Sequence, residues 1–342
     1  MAEDNERKEE RDMHRPIPRV FWCAALLACA PAASFGQQQA AKSYPSKPIR
    51  LVVPFAAGGT LDFIGQVLVQ KIAPVLGQNL FMDNRGGAGG SIGTDVVAKS
   101  PPDGYTMLLG TSTHTILPSV YKSLPYDPVK DFTPITLVVR GVGSVLVVHP
   151  SVPARSVKEF IALAKAQPGK LNYGSGGVGT ATHFAAESFN LIAGTQLTHV
   201  PYKGILPATI DLLAGRIDVG FFSPTVVLAH IRLGKLRALG ITAPARWSEL
   251  ADVPTMDEAG VKKGYIYALW YGLWFPAGTP TEYVTRIRAE VAKAFEDPAT
   301  KRRFVEKGLL PVASTPQEFG KTIFDDIEFN RRLVAKIGLT PQ

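Results

Sequence analysis

Cysteine is almost missing from this chain of 342 residues: Cys23 and Cys29 are the only two, and both stand near the N-terminus. Everything after residue 29 is therefore without a thiol nucleophile, a disulfide or a cysteine-held metal. Long apolar runs are scarce too, and beyond the N-terminus no segment reaches the roughly 18 residues that a membrane span needs. Positive charge comes in no run of five or six and is not interleaved with aromatics, which argues against a nucleic-acid groove. HExxH is absent, no paired carboxylates flank the glycine-rich loops, and the six histidines are scattered. Catalysis is left without a constellation. The glycine-dense stretch Asn84-Arg85-Gly86-Gly87-Ala88-Gly89-Gly90-Ser91 lacks the GK[ST] of a phosphate loop, and a GxGxxG with an acidic partner is missing from it. No cofactor is expected.

The N-terminus is the apolar exception. A polar stretch ends in Arg15 and Arg19, residues 20–33 are apolar, and Ser34-Phe35-Gly36 before Gln37 suits cleavage, so residues 1–36 read as a secretory signal peptide. The acidic first dozen residues are odd for a signal and point to Met13 as the start codon. Leu26-Leu27-Ala28-Cys29 also resembles a lipobox, which would anchor the chain by a lipid on Cys29. Either route leads to the periplasm. Without residues 1–36, 32 basic residues face 23 acidic ones, a net charge of +9 that suits attraction of small anions.

What the chain does have is a pair of glycine-rich strand-to-helix turns. The first lies in residues 49–72, IRLVVPFAAGGTLDFIGQVLVQKI, and the second in residues 171–194, LNYGSGGVGTATHFAAESFNLIAG. Glycine allows a sharp turn and close approach to a ligand. A helix that starts there aims unpaired N–H groups and the positive end of its dipole at the same point. One such turn is an ordinary anion site; two, about 120 residues apart, point to two lobes closing on one anion.

Strand and helix signals alternate on both sides of an apolar run at 135–149, which Gly141 and Gly143 interrupt. The alternation predicts parallel sheets with crossover helices. Domain 1 is expected at 44–142 plus 243–342 and domain 2 at 143–242, with a hinge near Gly141–Gly143 and Ile241–Ala243. LRALGIT (236–242) reads as a strand that could return to domain 1, and a short helix is expected after Met256.

Several stretches, in order, carry a family resemblance: YPSKPIRLVVPFAAGGTLD, DNRGGAGGSIGTDVVAKSPPDGYTMLLGTST, LPYDPVKDF, PGKLNYGSGGVGTATHFAAE, HVPYKGILPATIDLLAGRIDV and GKLRALGIT. From about Tyr44 to Gly338 the chain resembles the Bug family, the TctC-like extracytoplasmic solute receptors of tripartite tricarboxylate transporters. The resemblance implies an α/β, two-lobed periplasmic-binding-protein fold (Venus flytrap, type II) with two crossover strands. It also implies a carboxylate held between the lobes, a membrane permease as partner, and a monomer. A receptor of the same fold could instead serve a signalling partner.

Site residues follow from the loops and from this resemblance. Phe55, Ala57, Gly58, Gly59 and Thr60 belong to the first turn, whose family counterpart contacts the proximal carboxylate. Thr111, Ser112 and Thr113 follow a strand at its carboxyl end, where open α/β sheets bind ligands. Ser175, Gly176, Gly177 and Thr180 form the partner loop. Tyr202, Lys203 and Ser223 end later strands facing the same cleft. His183 joins them from the helix after the partner loop. With Glu187 it has i,i+4 spacing, but no third metal ligand is evident and helix-face pairing explains the two. Asp62 reads as a dipole-favoured residue, Arg85 as part of a cleft lip and His114 as a surface histidine.

Phe221-Phe222-Ser223-Pro224-Thr225 departs from the Asp-Asn that many family members carry there. Without that acid an amino-acid ligand loses an ammonium partner. Aromatic or aliphatic carboxylates become the expected ligands, a dicarboxylate such as terephthalate among them. Four charge-assisted hydrogen bonds of roughly 1.5–3 kcal/mol each, with apolar burial at about 25 cal/mol per Å², reach the ~8 kcal/mol of a micromolar site.

Overall fold

A computed structural model describes residues 44–261, 265 and 267–337. The expected signal peptide, its cleavage point, Met13 and Cys29 lie outside the described residues. Strand β1 (Ile49–Val53) leads into α1 (Thr60–Leu76), followed by β2 (Leu80–Asn84), α2 (Ser91–Ala98), β3 (Thr106–Thr111), α3 (Thr113–Val120) and β4 (Phe132–Gly141). A second series follows: β5 (Val145–Val148), α4 (Val157–Ala166), β6 (Asn172–Ser175), α5 (Ala181–Ala193), β7 (Thr198–Pro201), α6 (Ile205–Leu213), β8 (Val219–Phe222), α7 (Pro224–Arg232) and β9 (Arg237–Ile241). The chain closes with β10 (Trp270–Pro276), α8 (Thr281–Ala294), α9 (Pro298–Val305), β11 (Leu309–Pro311) and α10 (Pro316–Ile337).

Local sequence explains these elements. Leu51, Val52 and Val53 of β1 are fully buried, as a strand covered on both faces requires. In α1 the buried Leu61, Ile64, Leu68 and Ile72 recur at helical spacing and form one apolar face. That helix ends where Gly77 adopts φ 65°, a left-handed cap that glycine enters without steric cost.

Two sheets result, ordered β11-β4-β10-β3-β1-β2 and β7-β6-β8-β5-β9. They are mixed, which corrects the expectation of parallel sheets. β10 inserts antiparallel between β3 and β4, and β5 runs antiparallel to β8 and β9. An apolar strand pattern is the same in either direction, so nothing local announced the reversal. The first helices of each series still stand between parallel strands, β1 beside β2 and β3 and β6 beside β7 and β8.

The chain passes between the sheets twice. Residues 142–144 carry it from β4 to β5. The return comes later than residue 243: Thr255 bridges Ile241, and Met256, Val261 and Tyr265 are buried in the core of the second sheet. Turns, not a helix, occupy 256–260, and the first sheet resumes at Trp270. At the crossing, Ser144 N–H donates to Thr242 Oγ1 at 2.8 Å and Thr242 Oγ1 donates to the Tyr267 carbonyl at 2.7 Å. A shared apolar group of Ile116, Leu117, Val120, Ala181, Phe184 and Val334 joins α3, α5 and α10.

Candidate functional site

Five helix starts meet at one cavity between the sheets. Gly59, Thr60 and Leu61 reach it from α1, Thr113 from α3, Thr180, Ala181 and Thr182 from α5, Ile205 from α6 and Ser223 from the start of α7. About 70 Å³ of it is open to the centres of water molecules, several times the ~10–15 Å³ that one water needs. First-turn N–H groups have no partner within their own helix, and Gly59, Gly204 and Ser223 cap α1, α6 and α7 with no side-chain hydrogen bond. The convergence makes the cavity electropositive without a cation.

Indeed, among the described residues no aspartate, glutamate, lysine, arginine or histidine lines the cavity. Its polar side chains are all hydroxyls. Phe55, Ala56, Leu61, Ala181, Ile205 and Leu269 supply an apolar wall. Hydroxyl donors on one side and an apolar wall on the other can hold a small polar-ended ligand.

Four threonines form a network that joins the two halves. Thr113 N–H donates to Thr111 Oγ1 at 3.1 Å, and Ala181 N–H donates across the cleft to Thr113 Oγ1 at 3.2 Å. Thr180 Oγ1 donates to the Gly177 carbonyl at 2.7 Å. Its 3.1 Å contact with Thr182 Oγ1 therefore takes its proton from Thr182, which also accepts from Gly176 N–H at 3.0 Å. Thr111 Oγ1 donates to Thr113 Oγ1.

Glycines of both loops form the seam of the closed cleft rather than its floor. A Cβ on Gly89 would stand 2.7 Å from the Val178 carbonyl, and one on Gly58 would stand 2.6 Å from Leu206 Cδ2. A Cβ on Gly177 would stand 3.1 Å from the Tyr202 carbonyl of its own half and 3.8 Å from Gly89 across the seam. An outer cavity lies along this seam, with Phe55, Tyr121, Gly177, Tyr202 and Lys203 around it.

Of the residues expected from the sequence, Phe55, Gly59, Thr60, Thr111, Thr113, Gly176, Thr180 and Ser223 line the inner cavity. The other eight stand elsewhere. Ala57 is exposed, Gly58 is in the seam, and Ser112 binds the Trp270 carbonyl through its N–H. Ser175 and His199 Nε2 share a 2.6 Å hydrogen bond behind the loop. Tyr202 donates to Asp211 Oδ2 at 2.7 Å. Gly177, Tyr202 and Lys203 border the outer cavity instead.

His183 also supports the loop from behind, accepting from Gly179 N–H through Nδ1 at 3.2 Å and stacking on His199 at 4.2 Å. Burial, helped by His199, pushes its pKa down to about 3, and burial takes His199 to about 4. Glu187, its expected pairing partner, accepts from Tyr173 instead. His114 corrects its surface reading: it is 4% exposed, bonded through Nε2 to the Pro128 carbonyl, and burial lowers its pKa to about 4.

Two motif spellings hide in the loops, and the first corrects the expectation that the chain has no GxSxG. Residues 89–93 spell GxSxG, but Ser91 is buried and its neighbouring hydroxyl is that of Tyr126, not a histidine. Residues 174–179 spell GxGxxG between a strand and a helix. Yet β7 runs on into Pro201-Tyr202-Lys203 with no acid for a ribose.

Tyr271 is the lining residue with no sequence signal. It sits on β10, 2% exposed, with the Thr60 and Ser223 hydroxyls facing its phenol. Burial pushes that phenol up to about 12, against a smaller opposing effect of the two hydroxyls. Leu269 lies two residues before it. Thr182 and Ala181 flank the partner loop, and Ile205 follows Gly204.

Comparison with known proteins places this geometry among transport receptors. Residues 64–339 match the model of the tripartite tricarboxylate transporter family receptor, TctC. Protein BugT of Bordetella pertussis is 36% identical over 290 residues, 84% of this chain and 88% of its own. R. palustris Rpa4515, solved with adipate, superposes with a TM-score of 0.84 at 34% identity, covering 87% of this chain and all of the other. Periplasmic binding protein BugD gives 0.84 at 33% identity with the same coverage.

Proposed function

Since the chain belongs to the tripartite tricarboxylate transporter receptor family, we propose that it is a periplasmic solute-binding protein which closes on a small carboxylate and delivers it to a membrane permease. The observation that carries the reading is the cavity where five helix starts converge with hydroxyls and apolar side chains and, among the described residues, no charged group. Aligned N–H groups stabilise an anion and leave a cation without a partner. Adipate in a relative of the same fold supports a carboxylate occupant. Aromatic and aliphatic acids both suit the wall of Phe55, Leu61, Ile205 and Leu269, and terephthalate is one member of the class to be tested.

The lobes in this reading carry one sheet each. Residues 44–142 with the C-terminal part form the first and 143–242 the second, with Met256, Val261 and Tyr265 packed into the second sheet's core. They hinge where Ser144, Thr242 and Tyr267 cross. A monomer with one site is sufficient for this work, and the binding residues are those lining the inner cavity.

Calorimetric titration of the purified protein, unfolded and refolded once to strip carried ligand, tests the proposal. Benzoate, terephthalate, C4 to C6 acids, glutamate and nicotinate form the panel. One micromolar acid, with small-angle scattering showing compaction on binding, supports it. No binding by any acid overturns it, and closure without transport by the reconstituted permease overturns the delivery step.

A further inference from the structure

Two cavities meet at the ring of Phe55. The inner one has about 70 Å³ open to the centres of water molecules, and the outer one on the seam has about 250 Å³ by the same measure. Phe55 and Gly176 line both. The partition is therefore an aromatic ring on the first-sheet side and, on the second, a residue with no side chain.

Gly176 has no steric reason to be glycine. A Cβ there would meet nothing nearer than the Thr182 hydroxyl at 3.7 Å, an ordinary contact. Its φ lies outside the left-handed region, unlike those of Gly177 at 129° and Gly179 at 75°. Its missing side chain instead leaves space where the cavities adjoin. The ring opposite is seated on Gly90, where a Cβ would stand 3.1 Å from Phe55 Cζ.

Beyond the ring, Tyr121 of the first lobe and Val178, Pro201 and Tyr202 of the second enclose the outer cavity. Tyr202 donates its hydroxyl to Asp211 Oδ2 at 2.7 Å, which leaves mainly carbon as its contribution to the wall. Lys203 is exposed at the rim. Such a lining favours apolar surface over a second charge. Because the walls come from both lobes, a group lying there is enclosed as the cleft shuts.

We propose that the outer cavity is a second subsite, which takes the apolar or aromatic tail of an elongated acid whose carboxylate occupies the inner cavity, with the chain passing between Phe55 and Gly176. The inference rests on the carboxylate reading above and extends it to ligand length. Phe55 then sets specificity on both sides, packing against the head in the inner cavity and the tail in the outer one.

The probes are phenylacetate and ω-phenylpentanoate, which differ only in the length of the linker. Both are titrated by calorimetry into the stripped wild-type protein, Val178→Phe and Tyr121→Ala. The longer acid is expected to bind the wild type at least tenfold more tightly. Val178→Phe fills the outer cavity and is expected to weaken the longer acid at least fivefold while phenylacetate stays within twofold. Tyr121→Ala strips a wall from the same cavity and is expected to weaken the longer acid about threefold, again sparing phenylacetate. A length gain that survives both variants undiminished overturns the subsite, because the tail then lies elsewhere. Equal binding of the two acids by the wild type also overturns it and leaves the carboxylate reading standing. Silence from both, beside another acid of the panel above that binds, has the same meaning. Silence from every acid overturns both.

Discussion

The N–H of Ala181 donates to Thr113 Oγ1 at 3.2 Å, so the first residue of one cleft helix is tied to the first residue of another that rises from the opposite sheet. Thr113 also takes a hydroxyl bond from Thr111. Both residues of the pair are buried, Thr113 to 4% and Ala181 to 1% exposure. The bond spans the two sheets, so in the receptor proposed above, whose lobes part and close, it acts as a latch for the closed form.

Thr113→Val keeps the branched shape and removes the acceptor. An intramolecular hydrogen bond nets roughly 0.5–1.5 kcal/mol, and a buried N–H left unpaired costs about 1–3 kcal/mol. Because the loss falls on the closed state, we expect about a tenfold weaker affinity with the melting temperature of the ligand-free protein little changed. Titration beside wild type checks it, and equal affinities would show that the latch is incidental.

Gly89 separates two reasons for glycine. Its φ is 63°, and a side chain in that left-handed region costs roughly 1–2 kcal/mol. A Cβ would also stand 2.7 Å from the Val178 carbonyl of the opposite loop, and backbone cannot swing aside. Gly77 shares the conformation, φ 65°, with nothing within 4 Å. Gly77→Ala should therefore lower stability by about 1 kcal/mol and leave binding alone. Gly89→Ala should lose a similar stability and, in addition, tenfold or more in affinity. Matching affinities for the two variants would refute the seam.

These two glycines also show how far the sequence could be read. The glycine-rich turns, the helix that begins at Ala181 and the final helix from Pro316 were legible because small residues, caps and periodic apolar positions are local signals. The work of the glycines was not. Read alone, they promised an anion cradle, whereas much of their smallness serves the approach of Gly58 to Leu206 and of Gly89 to Val178. Tyr271 was illegible for another reason. It lies in YALWYGLWFP, an apolar run that any core strand could contain. Its place beside Thr60 depends on β10 inserting antiparallel between β3 and β4, a pairing set by the whole sheet. His114 looked like a surface residue for want of any signal that Trp274 and Phe132 would enclose it.

Lys203 provides a negative expectation. It is exposed at the rim of the outer cavity and does not line the inner one. An exposed cation is screened by water and salt, and its contacts are worth about 0–1 kcal/mol. Lys203→Ala should change affinity less than about threefold. Raising the salt from 20 to 200 mM should change it little as well, because ions screen exposed charges and scarcely touch buried N–H groups. A tenfold loss in either experiment would put a lysine contact back into the site.

Acid should weaken the fold before it protonates the site's supports. Neutral His183 accepts from Gly179 N–H, and burial holds its pKa at about 3 against an ordinary 6.5, while His114 is held at about 4. Both pKa values are depressed in the folded state. The unfolded chain therefore binds more protons than the native one below pH 6.5, and stability falls as the pH drops from 6.5 towards 4. Each histidine withdraws up to about 1.4 kcal/mol per pH unit across that window, and the loss levels off once the native histidines protonate. Melting temperatures at pH 7, 6 and 5 should decline in steps that grow downward. His183→Asn puts a carbonyl oxygen where Nδ1 accepts and removes the titration, so its melting temperature should fall less steeply than wild type. Parallel slopes in the two proteins would mean that His183 is not held neutral behind the loop.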